Sequence, residues 1–566
     1  MGNAATSRRI FLSYLGLTSG LAAGFGPNAI EVNAQSPAPP TIDAETIAAA
    51  ERVIGVEFTA EERAQLLRTI EEHRELVSAL RAAGPLPNEL SPMTTFRARL
   101  PGRPVTRVTT GRPTRTVVDP PALPSSDADI AFAPLTTLAG WIERRALTSE
   151  RLTSIYLARL ERLNPTLLCA ITITRDRAMA DARRADAEIA SGHYRGPLHG
   201  IPYGLKDIID TKGIATTRGA EPWRDRVPDR DAVVTARLAE AGAVLVAKTA
   251  VGALAYGDIW FGGTCKSPWN ASKGSSGSSA GSASGVSAGL FGFAIGTETL
   301  GSIVSPCERC GAAGLRPTFG RVARTGAMAL VWTMDKIGPI CRSIADTALV
   351  LDVINGADDG DPSSVSEAFE WSPEPSVRGL RVGVDPRWLR DDPYAATTKA
   401  AVEAARAEGC EIVDLASPDI DARPALIPLY AEAAAAFDEL TRANLDDQLS
   451  WQADEAWPNT FRRSHFLSAT DLVHADRLRR RLCESMHAHF ERVDCVLAPP
   501  FGGGMLVLTN SSGHPCAIFR AGFDANNQPR SMTVMGRLFD EGTILRVATA
   551  LERRLGAAER RPPQMS

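Results

Sequence analysis

The alternation of hydrophobic and polar positions changes texture twice along this 566-residue chain. Between about residues 42 and 83 apolar side chains recur at helical spacing, with Ala48, Ala49, Val53 and Ile54 on one face. Thr59 followed by Ala60-Glu61-Glu62 reads as the cap of a second helix running through Leu66, Ile70 and Leu76, and Gly84-Pro85 stops it. Residues 100–127 carry many Pro, Thr and Arg with no apolar period, and read as a linker or an extended arm wrapped on the body. From about Ile130 the pattern becomes that of a compact α/β body. It predicts a helix over 149–163, a strand over 168–173, a helix over 178–190, a strand over 201–209, a helix over 232–241 and a strand over 243–247. Strands alternating with helices argue for a sheet covered on its faces. Residues 496–557 predict strand, turn, strand and a closing helix.

Residues 272–305 break this rhythm. They open with Ser272-Lys273-Gly274-Ser275-Ser276-Gly277-Ser278-Ser279-Ala280-Gly281-Ser282. A Gly/Ser run is ordinarily a flexible linker. Here it leads into a small-residue helix (283–289), an apolar strand (290–295) and then Gly296-Thr297-Glu298-Thr299-Leu300-Gly301-Ser302. A linker would not be joined to core on both sides. A phosphate-cradling loop needs Gly-Lys followed by Ser or Thr, and Lys273-Gly274 runs the wrong way. Packed glycines let the backbone turn and aim N–H groups at one point, which suits an oxyanion. Serine supplies a nucleophile once a base takes its proton.

Of the eight histidines (His73, His193, His199, His465, His474, His487, His489 and His514) none lies in a nucleophile-elbow or triad-like context. Only seven of the 62 basic residues are lysines, so each invites a question: unlike a guanidinium, an ammonium can be tuned to lose its proton near neutral pH. Lys206 ends the apolar run Gly200-Ile201-Pro202-Tyr203-Gly204-Leu205 and is the candidate base, the plainer reading being an ion pair with Asp207. As a base it must be neutral, which asks burial and neighbours for about 4–5 kcal/mol.

Composition narrows the class. The chain is 44% apolar, its net charge is −4 and aromatics make up 6%, which excludes the basic, stacking surface of a nucleic-acid binder. No internal stretch reaches the ~18 apolar residues of a membrane span. Cys307-x-x-Cys310 is a lone pair among nine cysteines and reads as core, so no metal is expected. Ser7-Arg8-Arg9-Ile10-Phe11-Leu12, a mildly apolar stretch to about Phe25 and the small residues around Ala34 read together as a twin-arginine secretion signal. The mature chain then begins near Gln35 and is periplasmic or secreted.

These residues resemble the amidase signature family. Its hallmark run matches Gly277-Ser278-Ser279-Ala280-Gly281-Ser282 and Gly296-Thr297-Glu298-Thr299-Leu300-Gly301-Ser302-Ile303. Further matches are Gly314-Leu315-Arg316-Pro317-Thr318-Phe319-Gly320, Asp335-Lys336-Ile337-Gly338-Pro339, the lysine motif Pro197-Leu198-His199-Gly200-Ile201-Pro202-Tyr203-Gly204-Leu205-Lys206-Asp207, and Gly513-His514-Pro515. The likeness spans about residues 130–555. It implies one large α/β domain over 128–557, a mixed central sheet with helices on both faces; the residue patterns add a signal (1–34) and a helical N-terminal arm (35–127) before it and a disordered tail (558–566) after it. It implies amide hydrolysis through an acyl-enzyme on Ser302, with Ser278, after a cis peptide, as proton relay and Lys206 as base. The backbone N–H groups of Thr299, Leu300, Gly301 and Ser302 are the implied oxyanion hole, and no cofactor is needed. Leu300 departs from the glycine or aspartate common there.

Three other readings fit less well. The glutamine-hydrolysing component of a tRNA-dependent amidotransferase conflicts with the export signal, and a non-catalytic exported binding protein conflicts with an intact triad. Ester hydrolysis is open to the same machinery. The expected partner is a small-molecule or peptide amide, with no nucleic acid and no stable membrane insertion. The variable region 362–500 offers Trp371, Trp388, Trp451, Trp457 and Phe461 as pocket candidates, each read first as core.

Overall fold

The computed structural model describes residues 42–70, scattered positions between 74 and 99, and 119–565 except 373–375, 391 and 564. The twin-arginine segment and all but the end of the 100–127 linker lie outside the described residues. The chain divides into two compact units between Ser78 and Ala79.

The first unit contains the expected helices, Ala44–Ile54 and Ala60–Leu67. Asp43 caps the first by accepting from the Thr46 N–H, and left-handed Gly55 closes it. Thr59 and Glu62 form a reciprocal capping box at the second. Arg63 pairs with Glu51 at 2.7 Å within this unit.

The second unit is built on an eleven-stranded sheet. Its strands are β1 (Ala170–Ile173), β2 (Pro202–Lys206), β3 (Val244–Thr249), β4 (Phe293–Glu298), β5 (Ala313–Arg316), β6 (Lys336–Cys341), β7 (Arg381–Val384), β8 (Glu411–Asp414), β9 (Cys495–Ala498), β10 (Cys516–Phe523) and β11 (Pro529–Gly536). They lie in the order β1-β3-β2-β4-β6-β5-β10-β11-β9-β7-β8. Strand β2 runs parallel to both neighbours, β3 and β4, whereas β6 is antiparallel to β4 and β5. The sheet is therefore mixed, as expected, and helices flank it. Every residue of β2, β3, β4 and β6 is buried, which matches their unbroken apolar runs.

Several boundaries move. The strand expected over 201–209 stops at Lys206, because the chain turns at 207–209. The small-residue helix runs Ala280–Ser287, and the next strand begins only at Phe293, after a turn through left-handed Gly289. An unexpected helix, Met505–Ser512, stands between β9 and β10. Its sequence MLVLTNSS carries a β-branched, hydroxyl-rich run that reads as strand, and glycines rather than polar side chains bound it.

Part of the expected arm is built into this unit: Asn88 bonds Ala329, Phe96 packs edge-on to Phe319 at 5.2 Å, and the Arg479 guanidinium lies 3.6 Å from the Phe96 ring centre. Beyond residue 557 the described chain is tied down. Arg520 donates to the carbonyls of Ala557, Ala558 and Arg560, and Arg561 pairs with Asp129 at 2.7 Å.

The Gly/Ser run is small because backbone presses on it. A Cβ on Gly281 would lie 2.0 Å from the Cys169 carbonyl oxygen and 2.4 Å from the Ala250 nitrogen, and one on Gly277 would lie 1.8 Å from the Gly257 oxygen. These neighbours cannot rotate away as a side chain would. Gly281→Ala is therefore expected to cost at least as much as ordinary overpacking, about 1–3 kcal/mol, in a denaturant melt. Gly379→Ala, whose Cβ would meet nothing, is expected to show only the milder penalty of a left-handed backbone.

Candidate active site

Strand β2 delivers Lys206 into the middle of the sheet, where its side chain is fully buried. Asp207 does not pair with it. That carboxylate turns away to Lys248 at 3.0 Å and to Thr217. Lys206 Nζ is instead ringed by oxygens without formal charge: Ser278 Oγ at 2.8 Å, Ser279 Oγ at 3.1 Å, Thr297 Oγ1 at 2.7 Å and the Thr297 carbonyl at 3.4 Å. Burial pushes the ammonium from 10.5 down to about 7, against a weaker opposing pull from Asp335 and Glu298.

The three hydroxyls differ in what they can do. The Ser279 hydroxyl donates to the Thr297 carbonyl at 3.0 Å and accepts the Thr297 N–H at 3.0 Å, so it is already committed to β4. Ser278 Oγ has no partner besides Lys206 among the described residues. When the lysine is neutral, the Ser278 O–H can donate to the nitrogen lone pair. The peptide bond Gly277–Ser278 is cis.

Ser302 follows the turn after β4 and is 9% exposed. Its carbonyl accepts from the Ser279 N–H at 3.0 Å, which ties the two serine-bearing segments together. Its hydroxyl makes no hydrogen bond among the described residues. The 2.8 Å link from Lys206 to Ser278 is thus formed, whereas no hydrogen bond joins Ser278 to Ser302.

Glu298 shapes the turn. One carboxylate oxygen accepts from the N–H groups of Ile303 (2.8 Å) and Val304 (3.0 Å), and the other from Arg316 (2.7 Å) and Asn510 (2.8 Å). Burial alone would raise this carboxyl, but Arg316 and the backbone donors hold it down to about 2. With its far end anchored, the turn leaves the N–H groups of Leu300, Gly301 and Ser302 without a protein acceptor among the described hydrogen bonds. Gly301 takes φ +83°, which a side chain would disfavour. Thr299 is held twice over: its hydroxyl donates to Asp335 at 2.5 Å, and its carbonyl accepts from Lys336 Nζ at 3.4 Å.

A pocket with about 680 Å³ of empty space, part of it open to solvent, adjoins this centre. Thr297, Thr299 and Lys336 form its catalytic end, and Met328, Leu330, Trp332 and Asn88 are among its other walls. Ser278 and Ser302 are not in its lining, and the pocket meets Lys206 through Thr297. None of the five aromatic pocket candidates lines it. Trp371, Trp388, Trp457 and Phe461 are buried, and Trp451 packs against Tyr256. Sequence reasoning also missed Thr297 as a lysine partner, Asn510 and Asn88. Thr297 alone carried a signal, since it precedes Glu298 inside the quoted motif. Cys307 and Cys310 are buried with free thiols.

A family model described as Amidase matches residues 151–545. AmiD of Mycobacterium tuberculosis (strain ATCC 25618 / H37Rv), itself named only as a candidate amidase, is 34% identical over 482 residues, covering 77% of this chain and 100% of that one. A glutamyl-tRNA(Gln) amidotransferase subunit of Anaeromyxobacter sp. (strain K) is 31% identical over 465 residues, covering 73% of this chain and 94% of the other. Among solved structures, native peptide amidase from Stenotrophomonas maltophilia superposes with a TM-score of 0.67 at 28% identity, covering 77% of this chain and 99% of that one.

The buried lysine has a thermodynamic signature. Its folded pKa lies below its unfolded value, so the unfolded chain binds the extra proton between about pH 7 and 10.5, and stability rises with pH across that window. Below pH 7 the full cost of charging a buried ammonium applies, on the order of 5 kcal/mol at ~1.4 kcal/mol per pH unit, partly offset by its hydroxyl partners. Lys206→Met should therefore be the more stable protein at pH 6, by a few kcal/mol, and the gap should close towards pH 10. Urea melts at the two pH values measure it, and equal stability at pH 6 would refute the desolvation argument.

Proposed function

This chain belongs to the amidase family and is an amide-hydrolysing enzyme, and from that premise we propose that it works through an acyl-enzyme on Ser302. Neutral Lys206 takes the Ser278 proton, Ser278 takes the Ser302 proton, and Ser302 Oγ attacks the carbonyl carbon. The N–H groups of Thr299, Leu300, Gly301 and Ser302 receive the developing oxyanion. Ser278 returns the proton to the departing amine, and water then releases the acid and regenerates Ser302. The observation that carries this reading is a fully buried lysine with no carboxylate partner among the described residues, 2.8 Å from Ser278 Oγ.

The substrate class is a small-molecule or peptide amide. Hydrolysis of glutamine as one component of a tRNA-dependent amidotransferase is the second reading, favoured by the 31% identity to such a protein. The twin-arginine run at Arg8-Arg9 supports export to the periplasm or beyond and opposes that second reading. Amino-terminal sequencing of periplasmic protein should begin near Gln35, and a full-length cytoplasmic product would count against export.

A fluorophosphonate probe followed by peptide mapping should place the adduct on Ser302. Lys206→Ala should slow labelling on the order of 10²- to 10⁴-fold, the range of a general base. An unlabelled but folded wild-type protein would overturn the mechanism. Because the neutral lysine is the active form, kcat/KM should fall about tenfold per pH unit below pH 7 and level off above it. A pH profile flat from 5 to 9 would remove Lys206 as the base. Assay of glutamine beside aryl and peptide amides separates the two substrate readings.

A further inference from the structure

Loop 326–335 carries much of the pocket wall, including Met328, Ala329, Leu330 and Trp332. It is fastened to the catalytic strand's exit at one point, where the Met328 N–H donates to the Ile208 carbonyl at 2.8 Å. Asp335 folds the loop on itself by accepting from the N–H groups of Leu330 (2.8 Å) and Val331 (2.9 Å), and anchors its far end by accepting from the Thr299 hydroxyl at 2.5 Å, while Glu432 and Arg479 hold Thr333. Between these points the backbone of Ala329 bonds to no strand or helix among the described residues. Its two backbone groups are taken by a single side chain: Asn88 Nδ2 donates to the Ala329 carbonyl at 2.9 Å, and Asn88 Oδ1 accepts the Ala329 N–H at 2.7 Å. The Asn88 carbonyl also accepts from Trp332 Nε1 at 3.3 Å.

A carboxamide has the donor and acceptor of a peptide group, so Asn88 acts on Ala329 as a one-residue β-partner. Asn88 is also itself part of the pocket lining. It lies outside residues 151–545, the span matched by the family model, so the N-terminal segment contributes this one residue to a wall otherwise built from within that span.

We propose that Asn88 is a specificity-determining residue: by pairing with Ala329 it fixes the 326–335 loop and sets the size of the group the pocket admits beside Ser302. This rests on Ser302 being the nucleophile. Without the carboxamide, the Ala329 N–H and C=O lose their partner and seek others, and the wall between the Ile208 and Asp335 fastenings moves. Because Asn88 touches the wall and not the triad, its loss alters which groups fit more than it alters how Ser302 is activated.

The test measures the second-order rate of Ser302 phosphonylation by alkyl fluorophosphonates from methyl to decyl, in the wild type, Asn88→Ala and Asn88→Asp. The aspartate keeps the acceptor for the Ala329 N–H but sets an oxygen against its carbonyl, and serves where the alanine variant folds poorly. The decyl-to-methyl rate ratio should rise about tenfold in both variants, the scale of a changed pocket contact. The ratio is insensitive to the amount of folded enzyme, so a merely structural role would slow all members in parallel. An unchanged ratio in the labelled variants overturns the inference while leaving the hydrolase reading intact. Absence of labelling in the wild type overturns both.

Discussion

An ammonium group can stay in a protein interior without a counter-ion only if the surrounding dipoles replace water well enough to keep it in place and poorly enough to let its proton go. Lys206 meets that condition through three hydroxyls and a carbonyl, none of them formally charged. A carboxylate at Asp207's distance in sequence would have defeated it, by restoring the pKa that burial lowers. The fold removes that carboxylate by giving it a different lysine, Lys248, at 3.0 Å. The adjacent pair Lys206-Asp207 is thus split, one residue left among uncharged oxygens and the other forming half of a buried ion pair.

The rest of the centre is arranged around this lysine by long-range anchors. Strand β4 supplies Thr297 to the lysine and, one residue on, Glu298 to the turn bearing Ser302. Alternation along a strand sends neighbouring side chains to opposite faces, so a single extended segment serves both the buried lysine and the turn bearing Ser302. Arg316 of β5 and Asn510 of helix Met505–Ser512 complete the carboxylate's shell from distant parts of the chain. The same Arg316 also donates to Thr509 and to the His514 carbonyl, which locks that helix to the sheet.

Much of this is legible in the amino-acid sequence, for identifiable reasons. Lysine is rare here, so Lys206 stands out; small residues are costly unless backbone approaches closely, so the Gly277–Ser282 run signals packing and not flexibility. The strands around Lys206 are buried on both faces and read as unbroken apolar runs. What escapes is non-local or locally ambiguous. Asn510 and Asn88 owe their roles to partners more than 200 positions away. Helix Met505–Ser512 has strand-like composition, and tertiary contacts decide its state. Four of the five aromatic candidates of the variable region are core, as they first read, and Trp451 is half-buried against Tyr256; the tryptophan that does line the pocket, Trp332, sits beside the motif at Asp335 with no pattern to mark it.

The strand order carries a consequence in time. Lys206, Ser278 and Ser302 are all made before the chain is six-tenths complete, yet β5 finds its outer neighbour only when β10, residues 516–523, has been synthesised. Until then Arg316 lacks Thr509 and the His514 carbonyl, and Glu298 lacks Asn510. Pairings of such long sequence separation close late. A growing chain that already holds Lys206, Ser278 and Ser302 therefore still lacks the clamp on the turn bearing Ser302, and that turn is fixed only once the carboxyl-terminal strands have been made.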